Sequence, residues 1–139
     1  MTVVSGMREF ATTADTDIID MTADASDFVR ESGVRDGVLV VFTPGSTASV
    51  TTIEFEAGAV SDLKRALDTV APRHEDYEHN RRWGDGNGYS HVRSALVGPS
   101  IAIPVRDGRL DLGTWQQIVL CDFDNRPRTR RVTLQLVGD

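Results

Sequence analysis

The chain has a single cysteine, Cys121, among 139 residues. An intrachain disulfide is therefore impossible, and a zinc site built from several thiolates is excluded. Cys121 stands in the apolar run IVLCDF. A small buried hydrophobe is expected there, because a reactive thiolate needs an accessible, electropositive setting. Lysine is almost absent: Lys64 is the only one, and the other basic residues are arginines. The formal net charge of −6 leaves no basic excess for neutralising phosphates, so non-specific nucleic-acid binding is not expected. Long hydrophobic runs are also missing. The longest, Val38 to Phe42, is bounded by Gly37 and Pro44 and reads as a buried strand, so no membrane span is expected. The first residues, MTVVSGMREF, have neither the basic nor the apolar region of a signal peptide, and a cytoplasmic location is expected. No serine nucleophile elbow, Walker motif or dinucleotide fingerprint occurs.

The charge that is present is unevenly spread. Asp15, Asp17, Asp20, Asp24 and Asp27 crowd the first third, whereas Arg126, Arg128, Arg130 and Arg131 cluster late. With 40% hydrophobic and 26% charged residues the chain has an ordinary globular composition, and its length suits one domain over residues 1–139.

Patterning predicts strands at Val3 to Thr13 and Asp17 to Met21. A helix follows with Thr22 as N-cap, Ala25, Phe28 and Val29 as its apolar stripe, and Gly33 as its stop. Gly37 to Thr43 reads as a central strand covered on both faces, and Ala48 to Phe55 as a β-branched strand. Val60, Leu63, Leu67 and Val70 have helical spacing, ended by Pro72. A loop is expected from Arg73 to Gly88, then a strand or turn at His91 to Leu96 and a strand at Ser100 to Val105. Asp107-Gly108 is a hairpin signal. Strands at Gly113 to Phe123 and Arg130 to Val137 flank a turn at Asn125-Arg126-Pro127. The sum is an α+β single compact domain with a mixed or antiparallel β-sheet core and two main helices.

The segment Tyr77 to Gln117 holds two histidines, two tryptophans, several basic residues and the run Gly84-Asp85-Gly86-Asn87-Gly88. Such a mixture suits a small polar or phosphorylated ligand. The glycine-rich run tolerates positive φ and can aim N–H groups at an anion, or it can be a plain turn. Asp85 is a candidate for Mg²⁺ on a diphosphate, with Asn87 beside it as a ligand-binding candidate. His79 and His91 lie twelve apart. With Glu54 or Asp85 they suit Zn²⁺ or another divalent ion, proton transfer, or phosphate binding, and as loop histidines they also suit purely structural bonds. Arg81, Arg82, Arg93 and Arg109 are candidate phosphate partners. Arg93 leads, since on a strand it would share a face with His91. Trp115 is either a stacking wall for a heteroaromatic ring or a core aromatic.

HNRRWGDGNGYSHVRSALVGPSIAIPV, DGRLDLGTWQQIVLCDFD and RPRTRRVTLQLVGD together resemble the YjbQ family, with further similarity through GSTASVTTIEFEAG and SGVRDG. The resemblance covers nearly the whole chain. It implies the YjbQ-like α+β fold, a homotrimer and a pocket containing histidines. It also implies a secondary thiamine-phosphate synthase activity, which joins a pyrimidine methyl diphosphate to a thiazole phosphate and releases pyrophosphate, normally with Mg²⁺. His79 stands at the family's Tyr-x-His position, His91 at its Ser-His position, and Glu54 at an acidic position after a strand. Gly113, Thr114, Trp115 and Gln116 match a GTWQ signature, preceded by a small-residue segment with Ser94, Gly98 and Ser100. Gly45 and Tyr89 stand where many members carry histidines.

Overall fold

A computed structural model describes residues 1–139. In chain order the elements are β1 (Thr2–Ala11), β2 (Asp17–Asp20), α1 (Thr22–Ser32), β3 (Gly37–Phe42), β4 (Ala48–Ile53), α2 (Ala57–Val70), α3 (Glu78–Trp83), α4 (Gly88–Val97), β5 (Ser100–Arg106), β6 (Arg109–Leu110), β7 (Gln117–Asp122) and β8 (Thr129–Gly138). The strands form a five-stranded sheet ordered β1-β8-β3-β5-β6 and a three-stranded sheet ordered β2-β7-β4. Every pairing is antiparallel.

The inner faces of both sheets and the stripe of α1 make the main core, with Leu39, Val50, Leu120, Leu134 and Phe28 among its members. A second cluster lies on the other side of the small sheet. There Val119, Cys121 and Phe123 meet Leu67, Val60 and Leu63 of α2. The small sheet is thus covered on both sides, and the layers run large sheet, small sheet, helices. The covered strand is β7, buried from Ile118 to Asp122, rather than β3 as its apolar run suggested. In β3 Leu39 and Val41 are fully buried, but Val38, Val40 and Phe42 point outward and are 37 to 43% exposed. Strand geometry sends alternate side chains to opposite faces, and only the inner face of the large sheet is covered. With Val3 and Met7, those three leave that outer face apolar and bare.

The α+β architecture agrees with the sequence, but there are four helices rather than two main ones. The expected Arg73 to Gly88 loop contains α3, and the strand or turn expected at His91 to Leu96 is helix α4. Thr22 is the first helical residue rather than the N-cap. Its N–H and hydroxyl both donate to Asp20 Oδ1, at 2.9 and 2.6 Å. The hairpin at Asp107-Gly108 forms as expected, with φ of 50° and 73° at the two turn residues.

Four direct connections carry the chain between the sheets: 111–116 from β6 to β7, at the far end of β7, and three others, 12–16 from β1 to β2, 43–47 from β3 to β4, and 123–128 from β7 to β8. These last three lie at one end, since Asp17 and Ala48 both pair with Asp122 and Ala11 pairs with Thr129. That end carries the candidate site.

Candidate functional site

Two of these crossings, together with the start of α4, enclose a cavity of about 480 Å³. The 43–47 loop contributes Pro44, Gly45, Ser46 and Thr47. The β7–β8 connection contributes Asp124, Asn125, Arg126 and Arg128, and Arg130 follows from β8. Asp85, Asn87 and His91 complete the wall. Apart from Pro44, every lining side chain is polar, charged or absent.

The floor is a buried ion network. Arg130, 5% exposed, donates from Nε to Asp122 Oδ2 at 3.1 Å and from Nη2 to Asp122 Oδ1 at 2.8 Å. Nη2 also donates to Thr47 Oγ1 at 2.6 Å, and that hydroxyl donates to Asp124 Oδ2 at 3.0 Å. The Thr12 hydroxyl bonds to Asp122 as well. Asp122 therefore ties the 12–16 and 123–128 crossings directly, through Thr12 and the Asp124 N–H, and reaches Thr47 of the 43–47 crossing through Arg130. Burial opposes ionisation of Asp124, but the Thr47 hydroxyl, Arg128, Asn87 and the Arg126 N–H outweigh it and hold the carboxyl below its ordinary range.

The helix carrying His91 is pinned to the small sheet by a reciprocal pair. Ser49 Oγ donates to the Ser94 carbonyl at 3.0 Å, and Ser94 Oγ donates to the Ala48 carbonyl at 2.6 Å. Asn87 Oδ1 accepts from Ser90 Oγ at 2.6 Å and from the Asn125 N–H at 3.2 Å, joining α4 to the β7–β8 connection. The N–H groups of Asn87 and Gly88 are taken by Asp85 Oδ1 and Asn80 Oδ1, so the glycine-rich run uses them internally instead of aiming them at a ligand.

His79 and His91 do come together, with ring centroids 4.3 Å apart. Short helices α3 and α4 turn on the loop between them, which accomplishes what a spacing of twelve cannot do on one helix face. Burial and the neighbouring His79 push His91 below the ordinary imidazole value, against the pull of Asp85, Asp124 and the Ser46 backbone. Asp85 Oδ1 lies 3.2 Å from His79 Nδ1 but off the line of a hydrogen bond, so that buried nitrogen keeps no aligned partner. No three histidine, cysteine or carboxylate side chains are arranged to hold a metal ion, so the residues do not fit a protein-held Zn²⁺.

The remaining sequence candidates lie elsewhere. Arg93 is not beside His91 in orientation, because a two-residue step on a helix turns by about 200° rather than 360°. Its guanidinium is buried and donates to the Ala71 carbonyl, Thr16 Oγ1 and Asp68 Oδ1, where it stacks near the Tyr89 ring. These two line a separate cavity of about 240 Å³ with Asp15 and Arg73. Glu54 is exposed beyond the far end of β4, and Thr114 and Gln116 precede β7 at that same end. Gln116 bonds to Thr52 and the Gly113 N–H. A six-residue strand separates this group from the cavity by roughly 17 Å. Trp115 is 72% exposed, so it is neither a core aromatic nor a wall of this cavity. Ser100 pairs with Phe42 and is exposed.

None of Asp122, Asp124, Arg126, Arg128 and Arg130 was a site candidate from sequence, where the three arginines figured only as part of a late basic cluster. The available signal was phase: Arg130 falls on the buried beat of the alternating β8, and Asp122 closes an apolar run.

Comparison with known proteins agrees with this architecture. Residues 7–139 match the family model described as UPF0047 protein YjbQ-like. The UPF0047 protein YugU of Bacillus subtilis is 36% identical over 132 residues, covering 94% of this chain and 96% of that one. A UPF0047 protein of Methanothermobacter thermautotrophicus is 38% identical over 122 residues, covering 88% of this chain and 83% of its own. A crystal structure of an uncharacterized conserved YjbQ/UPF0047 family protein from Clostridium acetobutylicum superposes with a TM-score of 0.86 at 36% identity, covering 94% of this chain and 98% of that one. A YbjQ-like protein of unknown function from Sulfolobus solfataricus superposes with a TM-score of 0.89 at 25% identity, covering 99% and 100%. The chain belongs to the UPF0047, YjbQ-like family.

Proposed function

We propose that the cavity binds a phosphorylated small metabolite, and that the chain catalyses the thiamine-phosphate synthase reaction implied by its sequence resemblance. The observation that carries the first part is the lining: three arginines, His91 and two hydroxyl residues face one polar space. Guanidinium groups match phosphoryl oxygens in shape and charge. In the proposed reaction the thiazole nitrogen brings its lone pair to the pyrimidine methylene carbon. The C–O bond to the diphosphate breaks, and pyrophosphate leaves with the bonding pair. No proton has to be removed from the nucleophile. The protein's part is to position both substrates and to stabilise the charge that gathers on the leaving group. Arg126 and Arg128 are assigned to that charge, with His91 as a hydrogen-bonding partner. Mg²⁺ is proposed to enter on the diphosphate, with Asp85 as an oxygen donor.

A second reading is a binding module without turnover. It is favoured by the same lining, which offers no apolar wall for a heteroaromatic ring beyond Pro44. We further propose a homotrimer, supported by the bare apolar face of the large sheet, and a cytoplasmic site of action. No helix is long and apolar enough to cross a membrane.

Incubation with the pyrimidine diphosphate, the thiazole phosphate and Mg²⁺ tests the reading. Thiamine phosphate formed by wild type and lost in His91→Ala supports the synthase. Pyrophosphate binding without turnover supports the binding module. Absence of both overturns the phosphorylated-metabolite reading.

A further inference from the structure

We propose that Nη1 of Arg130 is the innermost anion contact of the cavity, seating one phosphoryl group of the ligand against the backbone at Gly45. The inference rests on the phosphorylated-metabolite reading and specifies which residue anchors the ligand.

A guanidinium carries five N–H donors in a fixed fork. In Arg130 those on Nε and Nη2 are committed to Asp122 and Thr47. Nη1 makes no hydrogen bond within the chain, although the residue is only 5% exposed and lines the cavity. Nη1 is not one of the chain's buried, partnerless atoms, so its two N–H groups open onto the cavity and are free to meet an acceptor there. An anion bound to them gains charge-assisted hydrogen bonds from a donor already held in place.

Gly45 makes that place reachable. A Cβ at position 45 would meet Arg130 Nη1 as its nearest heavy atom, at 3.3 Å, and the residue's φ of +150° lies where a side chain is strained. With no side chain there, Nη1 faces open cavity. The other half of the fork is already locked on Asp122, so the donor does not lose rotamer freedom when a ligand arrives. Arg126 and Arg128 sit further out on the same connection, where they contribute field rather than a fixed contact.

The test is calorimetric titration of the full-length protein with inorganic pyrophosphate, comparing wild type, Gly45→Ala and Arg130→Lys, with folding followed by far-UV circular dichroism. Gly45→Ala places a methyl group against Nη1 and leaves the Asp122 pair intact. Arg130→Lys keeps the charge and removes the fork. Each is expected to weaken pyrophosphate binding at least about tenfold, a change of about 1.4 kcal/mol. Wild-type binding with both folded variants within twofold of it overturns the assignment to Arg130 and leaves the broader reading standing. If Arg130→Lys does not fold, Gly45→Ala decides alone. Failure of wild type to bind pyrophosphate overturns the broader reading and this inference with it.

Discussion

Asp122 and Arg130 form a two-point ion pair across the β7–β8 connection, with the Asp122 side chain fully buried and that of Arg130 buried except where it meets the cavity. Breaking a buried pair by removing one member leaves a desolvated charge alone, which typically costs about 3–5 kcal/mol. Arg130→Leu is expected to lose stability in that range by urea unfolding. The double variant Asp122→Leu with Arg130→Leu is expected to lose less than the single one, because no charge is stranded.

Asp124 supplies an acid-side dependence. Its carboxyl is held below the ordinary range, with burial more than offset by Thr47, Arg128, Asn87 and the Arg126 N–H. A depressed folded value means the carboxylate stabilises the fold above the unfolded value of about 3.9, and that contribution is lost as pH falls through the folded value. Thermal unfolding between pH 6 and 3 is expected to fall more steeply for wild type than for Asp124→Asn.

Cys121 gives the opposite limb. Burial pushes its thiol up to about 12. A raised value means its contribution is intact below the unfolded value and is lost as pH rises, so the window runs from about 9 towards 12. Stability should drop across that window, and Cys121→Ala should flatten the drop. In native buffer at neutral pH a chromogenic disulfide reagent is expected to leave the thiol untouched, and to titrate it after denaturation.

Gly88 sets the spacing of the two histidines. A Cβ there would stand 2.5 Å from Tyr77 Cβ and 2.8 Å from Tyr77 Cγ, at the entry to α3. Gly88→Ala is expected to force α3 away from α4 at a cost of about 1–3 kcal/mol. It should also reduce pyrophosphate binding, whereas Glu54→Gln at the far end of β4 should leave that binding unchanged.

Sedimentation at micromolar concentration is expected to give three times the 15.2 kDa chain mass. A charged substitution on the bare sheet face, Val40→Lys, should shift the mass towards one chain. A wild-type monomer at that concentration would count against the trimer.

Much of the fold was legible because apolar spacing reports burial directly. The stripe of α1 and the alternation in β8 emerge where expected, and of the 60, 63, 67 and 70 pattern of α2 the first three pack inward while Val70, at the helix end, is 65% exposed. Helix α4 was missed for a physical reason: its buried side is Tyr89, Ser90, Arg93 and Ser94, while Val92 and Leu96 face solvent. A helix that buries polar groups leaves no apolar period to read. Helix α3 has no buried residue at all and left no stripe. In the cavity, the convergence of His79 with His91 depends on a loop whose path no spacing encodes. Arg130 and Asp122 were hidden by appearing as ordinary strand charges, and only their phase within the strands reveals that they point inward.

The cavity sits where the chain steps from one sheet to the other, with walls drawn from both sides of that step. An occupant held by Arg130 and Arg128 on one side and by Ser46 or His91 on the other would act as a rivet through the sandwich. Heat and denaturant would then have to expel it before the layers could part. The melting temperature would climb with the logarithm of ligand concentration, which makes thermal shift a route for finding the physiological ligand among candidates.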